Sequence, residues 1–337
     1  MQQTAQVTPL PFFDVVTGYQ RSAAMKTAVE LDVFTKIGEG NSTAADIARA
    51  VGAAERGVRI LCDCLTVMGF LNKDEGKYAL NDLSSTFLDT RSPMFIGRAV
   101  DFLMSDAQKR GFEELTETVR RGGSAISGDA SMDADSEMWV KFARGMMPLM
   151  YPTAEQVSGL IGLPTDAKIK ILDVAAGHGL FGILAAKRYP NAEVFGADWQ
   201  KVLAVALENA ATFGVADRYH TIPGDAFETD FGTDYDVILV PNFLHHFDKE
   251  ACTKFLEKCH ASLKSDGRVI TVEFVPNDDR VSPPMEAMFA LVMLAATPGG
   301  DAYTFSELKE MAENAGFTRN EIVTLEPMPS HVITSLK

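Results

Sequence analysis

Cysteine is scarce in this chain, and where it occurs excludes two of its common roles. The four residues are Cys62, Cys64, Cys252 and Cys259. They form neither a disulfide framework nor a paired C-x-x-C zinc pattern. Cys62 and Cys64 lie two apart in a helical stretch, so their side chains diverge, and a reduced, cytoplasmic protein is expected. Long apolar runs are also missing. None reaches the roughly 18 residues that a membrane helix needs. The opening MQQTAQVTPLPFFD has no basic segment followed by an apolar one, which argues against a secretory signal. Basic charge is short as well: 31 Lys and Arg stand against 46 Asp and Glu, for a net charge of −15. A nucleic-acid backbone or an anionic membrane is therefore not an expected partner. Histidine occurs six times, which makes the adjacent pair His245–His246 conspicuous.

The 337 residues leave room for two domains. Residues 1–104 read as mostly helical. MKTAVELDVFTKI has helical apolar spacing, NSTAADIARAVG starts on a Ser/Thr cap and stops at Gly52, and ERGVRILCDCLTVMGFL gives a longer helix. LNKDEGKYALN then reads as two short strands around a polar turn. Three helices and a hairpin make the outline of a winged helix. In a DNA-binding protein its third helix would read the major groove. Here that helix mixes Arg56 and Arg59 with Glu55 and Asp63 around a Leu, Cys and Val middle, a face better suited to burial against another subunit.

Residues 105–163 form a bridging region, with helical GFEELTETVRR, a polar loop GGSAISGDASMDAD and the Met-rich FARGMMPLMYPTAEQV. From about residue 164 strands and helices alternate. IKILDVAAG, AEVFGAD, YHTIPGD, DVILVPN and GRVITVEFVP read as strands, and TRNEIVTLEPMPSHVITSL as two closing ones. That alternation predicts an α/β, doubly wound, Rossmann-like sheet over 105–337.

ILDVAAGHGLFG carries Gly177-x-Gly179-x-x-Gly182 after the first of these strands. The glycines permit a tight strand-to-helix turn and close approach of a ligand to the backbone. A tight turn without a ligand is the plain alternative. Asp198 closes the second strand, where an acid can hold ribose hydroxyls, and this suits nicotinamide dinucleotides and S-adenosylmethionine equally. Asp173, just before the turn, suits a cationic ligand better than a pyrophosphate. After the third strand, Asp225 is placed to accept from an adenine amino group and Phe227 to stack on its ring.

From ILDVAAGHG onward the sequence resembles the S-adenosylmethionine-dependent O-methyltransferases of the caffeic-acid and hydroxyindole type. The resemblance implies an N-terminal winged-helix domain, 1–104, that dimerises, and a methyltransferase domain, 105–337. It places Asp173, Gly177 and Gly179 at the cofactor loop, Asp198 on the ribose, and Asp225 with Ala226 or Phe227 at the adenine. The family usually has glycines where this chain has Ala175 and Ala176.

FLHHFD follows a central strand, at the sheet edge where ligands bind. Three roles compete for its histidines. Metal binding needs ligands that converge, and adjacent loop residues rarely aim together. A structural role fits at least one of the pair. A general base fits methyl transfer to a hydroxyl, because an imidazole titrates near neutrality and a carboxylate can orient it. Glu273, ending the next strand, can supply that carboxylate. The resemblance puts His245 on the family's base, Glu273 on one of its two flanking glutamates, and His246 where many relatives have aspartate. The second glutamate is missing: Ala302 stands there, with Asp301 beside it. Pro241 replaces a lysine of plant relatives.

Six methionines sit in two predicted helices, where flexible thioethers can mould around a flat apolar ligand or simply pack a core. By resemblance, Phe142, Met146, Leu149, Met288 and Met293 line an acceptor pocket. The expected activity is metal-independent methyl transfer from S-adenosylmethionine to a hydroxyl of an aromatic or polyketide-like small molecule. C- or N-methylation on the same fold, a nicotinamide-dependent oxidoreductase, and a winged-helix regulator that senses S-adenosylmethionine are the alternatives.

Overall fold

In the computed structural model residues 7–126 and 137–337 are described. The polar loop expected over 122–135 thus lies mostly outside the described residues. The chain divides into two compact units between Met104 and Ser105.

The first unit has helices α1 (Leu10–Val16), α2 (Gly18–Glu30), α3 (Val33–Gly38), α4 (Ala44–Val51), α5 (Glu55–Val67), α6 (Asp82–Phe87) and α7 (Ala99–Leu103). Strands β1 (Leu71–Asp74) and β2 (Lys77–Leu80) form an antiparallel hairpin after α5. Glu75 and Gly76 turn it with φ of 43° and 78°, the left-handed pair that a two-residue hairpin turn requires. A bridge from Thr43 to Lys77 ties the hairpin to the start of α4, in the order of a winged helix. The Thr43 hydroxyl accepts from the Asp46 N–H at 3.2 Å to cap α4, and Gly52, with φ 67°, ends it. MKTAVELDVFTKI is not one helix: Asp32, with φ 56°, breaks it between α2 and α3. Phe34, Ile47, Cys62, Leu65 and Tyr78 fill the core. On α1, Leu10, Phe12, Phe13, Val15 and Val16 are all exposed, an apolar face of the kind that marks an interaction surface.

The second unit begins with α8 (Asp106–Glu113), α9 (Leu115–Arg121) and α10 (Glu137–Leu160). β3 (Lys170–Val174), α11 (Leu180–Arg188), β4 (Glu193–Asp198), α12 (Gln200–Thr212), β5 (Tyr219–Pro223) and β6 (Tyr235–Pro241) then alternate. α13 (Lys249–Ser262), β7 (Leu263–Glu273), α14 (Pro284–Ala296), α15 (Phe305–Asn314), β8 (Arg319–Leu325) and β9 (Ser330–Leu336) complete it. The seven strands lie in the order β5-β4-β3-β6-β7-β9-β8. Pairings from β5 to β7 are parallel, and β9 pairs antiparallel with both β7 and β8. This is a Rossmann-like sheet with a closing antiparallel pair.

Both faces are covered, so the central strands are apolar throughout rather than alternating. Ile171, Val237, Leu239, Ile270 and Val272 face one core, while Leu172, Val174, Ile238, Val240 and Val269 face the other. The chain leaves β3 toward β4 on one side and returns as β6 on the other, so strand order reverses between β3 and β6. The turn after β3 and the loop after β6 therefore emerge side by side at the carboxyl edge.

Candidate active site

Three residues of the turn after β3 are left-handed: Ala175, Gly177 and Gly179, with φ of 49°, 57° and 75°. At Ala175 this costs about 1–2 kcal/mol that glycine would avoid. Gly179 is required sterically too, because a Cβ there would lie 2.9 Å from the Ala206 Cβ and 3.0 Å from the Tyr219 hydroxyl. At Gly177 a Cβ would meet only the Ala175 carbonyl oxygen, at 3.7 Å. The backbone is thus packed from below at Gly179 and open at Gly177.

Asp198, at the end of β4, reaches this open segment. Its carboxylate accepts from the Gly177 N–H at 2.8 Å and the Trp199 N–H at 2.6 Å. Burial nonetheless raises its pKa to about 6, against the pull of those two bonds. Asp173 is fully buried. One oxygen accepts from the Gly182 N–H at 2.9 Å, and the other has no partner among the described residues. Burial lifts its pKa to about 8, and the Asp198 charge adds to the rise.

Asp225 turns back on its own loop, accepting from the Phe227 N–H at 2.7 Å. The Phe227 ring packs among Phe243, Phe247 and Phe255, with centroids 6.0, 4.8 and 5.5 Å away. Sequence reasoning missed the residue that shapes this loop. Lys258, on α13, donates to the carbonyls of Ala226, Phe227 and Thr229 at 2.8, 2.9 and 2.6 Å.

The loop after β6 opens with Asn242 at φ 53° and forms a single 3-10 turn, Leu244–His246. Glu273 anchors that turn from the end of β7. Its Oε1 accepts from the N–H groups of Phe243, Leu244 and His245 at 3.1, 2.9 and 3.4 Å. Its Oε2 lies 2.5 Å from His245 Nδ1, and both side chains are buried. A carboxylate can only accept, so Nδ1 carries the hydrogen, and in the neutral ring Nε2 keeps its lone pair. Phe289 of α14 holds the other side of the His245 ring, edge-on at 4.9 Å.

His246 lies in a different setting. Its ring meets Trp139 of α10 edge-on at 5.7 Å, and its Nδ1 has no partner among the described residues. Burial, aided by the neighbouring His245, holds its pKa well below the ordinary value, so it stays neutral. Asp301 does not take up the place of the missing glutamate. Its carboxylate pairs with Arg280 at 3.2 Å and accepts from the Ala302 N–H at 2.8 Å.

The predicted acceptor residues divide. Phe142 contacts Trp139 edge-on at 5.7 Å, and Met146 and Leu149 are half-buried on α10. Met293 is buried on α14, whereas Met288 is 69% exposed. A cleft of about 550 Å³ lined by Asp248, Lys249, Leu291, Pro298, Asp301 and Tyr303 holds none of the predicted site residues. Among the described residues no group of three or more His, Cys, Asp or Glu is placed to hold a metal ion.

Residues 112–318 match the model of the O-methyltransferase domain, and residues 13–90 that of the O-methyltransferase dimerisation domain. The chain belongs to the O-methyltransferase family. A solved structure from Nostoc punctiforme, described as a candidate O-methyltransferase, is 46% identical to this O-methyltransferase, with a TM-score of 0.94 over 99% of this chain and 100% of that one. The 3-hydroxy-5-methyl-1-naphthoate 3-O-methyltransferase of Streptomyces sahachiroi is 26% identical over 98% of this chain and 95% of its own. Human N-acetylserotonin methyltransferase in complex with S-adenosylmethionine shares the fold, at 20% identity and a TM-score of 0.86 over 100% and 99% of the two chains. The family uses S-adenosylmethionine, and the turn of this O-methyltransferase fits it: the backbone is open at Gly177, with an acid beside it and an unpartnered carboxyl oxygen behind. No helix among the described residues is long and apolar enough to cross a membrane.

Proposed function

We propose that this O-methyltransferase methylates a hydroxyl of an aromatic or polyketide-like small molecule, with His245 as general base and Glu273 as its orienting partner. One observation carries the reading: the 2.5 Å contact from Glu273 to His245 Nδ1. It fixes the tautomer that leaves Nε2 free to take a hydroxyl proton, and the carboxylate stabilises the imidazolium that results. The naphthoate acceptor named for the Streptomyces sahachiroi relative supports a flat aromatic ligand.

The cofactor supplies an electrophilic methyl on a sulfonium. Gly177 and Gly179 would let its amino-acid end approach the backbone, Asp198 would hold the ribose, and Asp225, Ala226 and Phe227 would border the adenine. Asp173, buried behind the turn with its pKa raised to about 8, would offer its unpartnered carboxyl oxygen. Phe142, Met146, Leu149 and Met293 would wall the acceptor, whose alignment is most of what in-line displacement needs from a protein. The exposed apolar residues of α1 and the dimerisation-domain match support a homodimer. Four free thiols support a cytoplasmic setting.

The deciding assay supplies labelled S-adenosylmethionine with a panel of phenols, amines and activated carbons, and reads the products by mass spectrometry. Transfer to phenolic oxygen is expected. Transfer to nitrogen or carbon alone, or turnover that needs a nicotinamide cofactor instead, would sink the proposal.

The raised Asp198 pKa yields a pH prediction with a definite sign. Above about 6 the residue is ionised and can accept from ribose. Below that it binds a proton that the complex must release, so affinity falls by up to tenfold per pH unit. Calorimetric titrations of S-adenosylmethionine from pH 5 to 8 should show this slope in the wild type and lose it in Asp198→Asn, which binds weakly throughout. An equal slope in both would assign the pH dependence to another group.

A further inference from the structure

The site holds a further buried acid that the reaction scheme above does not use. Glu286, in the first turn of α14, is 6% exposed. No hydrogen bond reaches its carboxylate from the described residues. Buried carboxylates are normally satisfied, so an unpartnered one leaves an acceptor for something else.

Its position says what that is. Glu286, Phe289 and Met293 recur at helical spacing on one face of α14. Phe289 lies against the His245 ring, which turns that face toward the base, while Met288, off that face, is exposed. Glu286 is one turn away from Phe289, about 5 Å along the axis. A second side chain marks the same spot. His331 on β9 is the register partner of Glu273 on β7, so the two project from the same sheet face with Cβ atoms about 5 Å apart. His331 is also buried, and its Nδ1 has no partner among the described residues. The Glu286 charge acts on this ring against the effect of its burial. Two polar side chains without partners thus flank the His245–Glu273 pair at the place where α14 meets the sheet edge.

We propose that Glu286 is a specificity-determining residue that accepts a hydrogen bond from a second donor on the acceptor, a hydroxyl or an ammonium about one ring away from the hydroxyl that is methylated. This rests on the acceptor pocket assigned above. The preferred substrate is then an aromatic with two donors rather than a simple phenol. His331 forms the adjoining polar wall.

The test uses matched acceptors on one phenol scaffold, carrying a second hydroxyl, an ammonium or a methyl. Glu286→Gln keeps the shape and removes the charge. For donor-bearing acceptors it should lower kcat/KM roughly tenfold or more, and for the methyl-bearing one less than threefold. A larger loss for the ammonium than for the hydroxyl would identify a cationic acceptor. An equal loss across all three, or none, would overturn the proposal. Glu286→Asp, with a shorter reach, carries the same comparison if the glutamine variant fails to bind S-adenosylmethionine normally. Failure here is separable from failure of the base assignment. Indiscriminate wild-type methylation of all three hydroxyls would remove Glu286's role and leave His245 as base. Discrimination that persists in a fully active His245→Ala enzyme would do the reverse.

Discussion

Glu273→Gln should lower kcat for hydroxyl methylation by roughly 10²–10⁴-fold while S-adenosylmethionine binds as before. The reason is a tautomer. Gln can still offer an oxygen to the three loop N–H groups that Glu273 Oε1 now satisfies. Its amide nitrogen then faces His245 Nδ1 and can only donate. The ring must therefore put its hydrogen on Nε2, and the lone pair that would take the hydroxyl proton is lost. His245→Ala should cost a similar factor, and the two changes together little more than either alone, because the residues act as a unit. His246→Phe should stay within about tenfold of wild type, since that ring is already neutral and wedged against Trp139. The measurement is single-turnover transfer to a phenol, alongside calorimetry for the cofactor. A fully active Glu273→Gln enzyme would remove the general-base assignment. Comparable losses at His245 and His246 would show that the loop's packing, not its proton chemistry, sets the rate.

How much of this was legible in the sequence depended on how local the cause is. The sheet strands followed from short apolar runs, and the glycine turn from residue types that only a left-handed backbone explains. The cap of α13 is equally local: the Asp248 carboxylate, directly before the helix, accepts from the Ala251 N–H at 2.9 Å. The break at Asp32, with φ 56°, was not readable, because the apolar spacing continues across it to Phe34 and Ile37, which lie in the same core. Met288 shows the same limit on a single helix. Spacing says that residues 286, 289 and 293 share a face and that Met288 does not, but only the neighbouring Phe289–His245 contact says which face is inside.

Long-range partners were invisible for a different reason. Glycine at 196 exists because the Tyr219 hydroxyl occupies the space where its Cβ would stand, a constraint linking two strands. Asp301 could be weighed as a substitute for the missing acid only until Arg280, 21 residues earlier, was seen to hold it. The dipeptide His245–His246 is the clearest case. Its two imidazoles are equivalent as sequence, and they diverge because Glu273 reaches one and Trp139 the other.

The same long-range logic predicts a large effect from a single methyl group. Gly300→Ala should lower kcat by roughly 10²-fold or more with cofactor affinity unchanged. A Cβ at position 300 would overlap the His245 carbonyl oxygen, and would also lie 2.6 Å from Thr297 Oγ1 and 2.9 Å from the His246 carbonyl carbon. Two of these atoms are backbone, so no side-chain rotation relieves the contact. The turn at 298–301 resists because the Gly300 N–H donates to Thr297 Oγ1 at 2.8 Å, and the histidine loop resists because Glu273 grips it at four points. Where the histidine loop yields, the His245 ring shifts by about 1 Å, and overpacking costs about 1–3 kcal/mol of stability. The Gly177–Asp198 contact belongs to other strands and should keep its cofactor. Gly299→Ala is the matched control: its Cβ would meet only Asp248, with the nearest approach 3.3 Å to a side-chain carbon, and activity should fall less than tenfold. Equal activity in the two variants, with the histidine loop displaced in a crystal structure of Gly300→Ala, would show that the base tolerates displacement, contrary to a role that depends on its position.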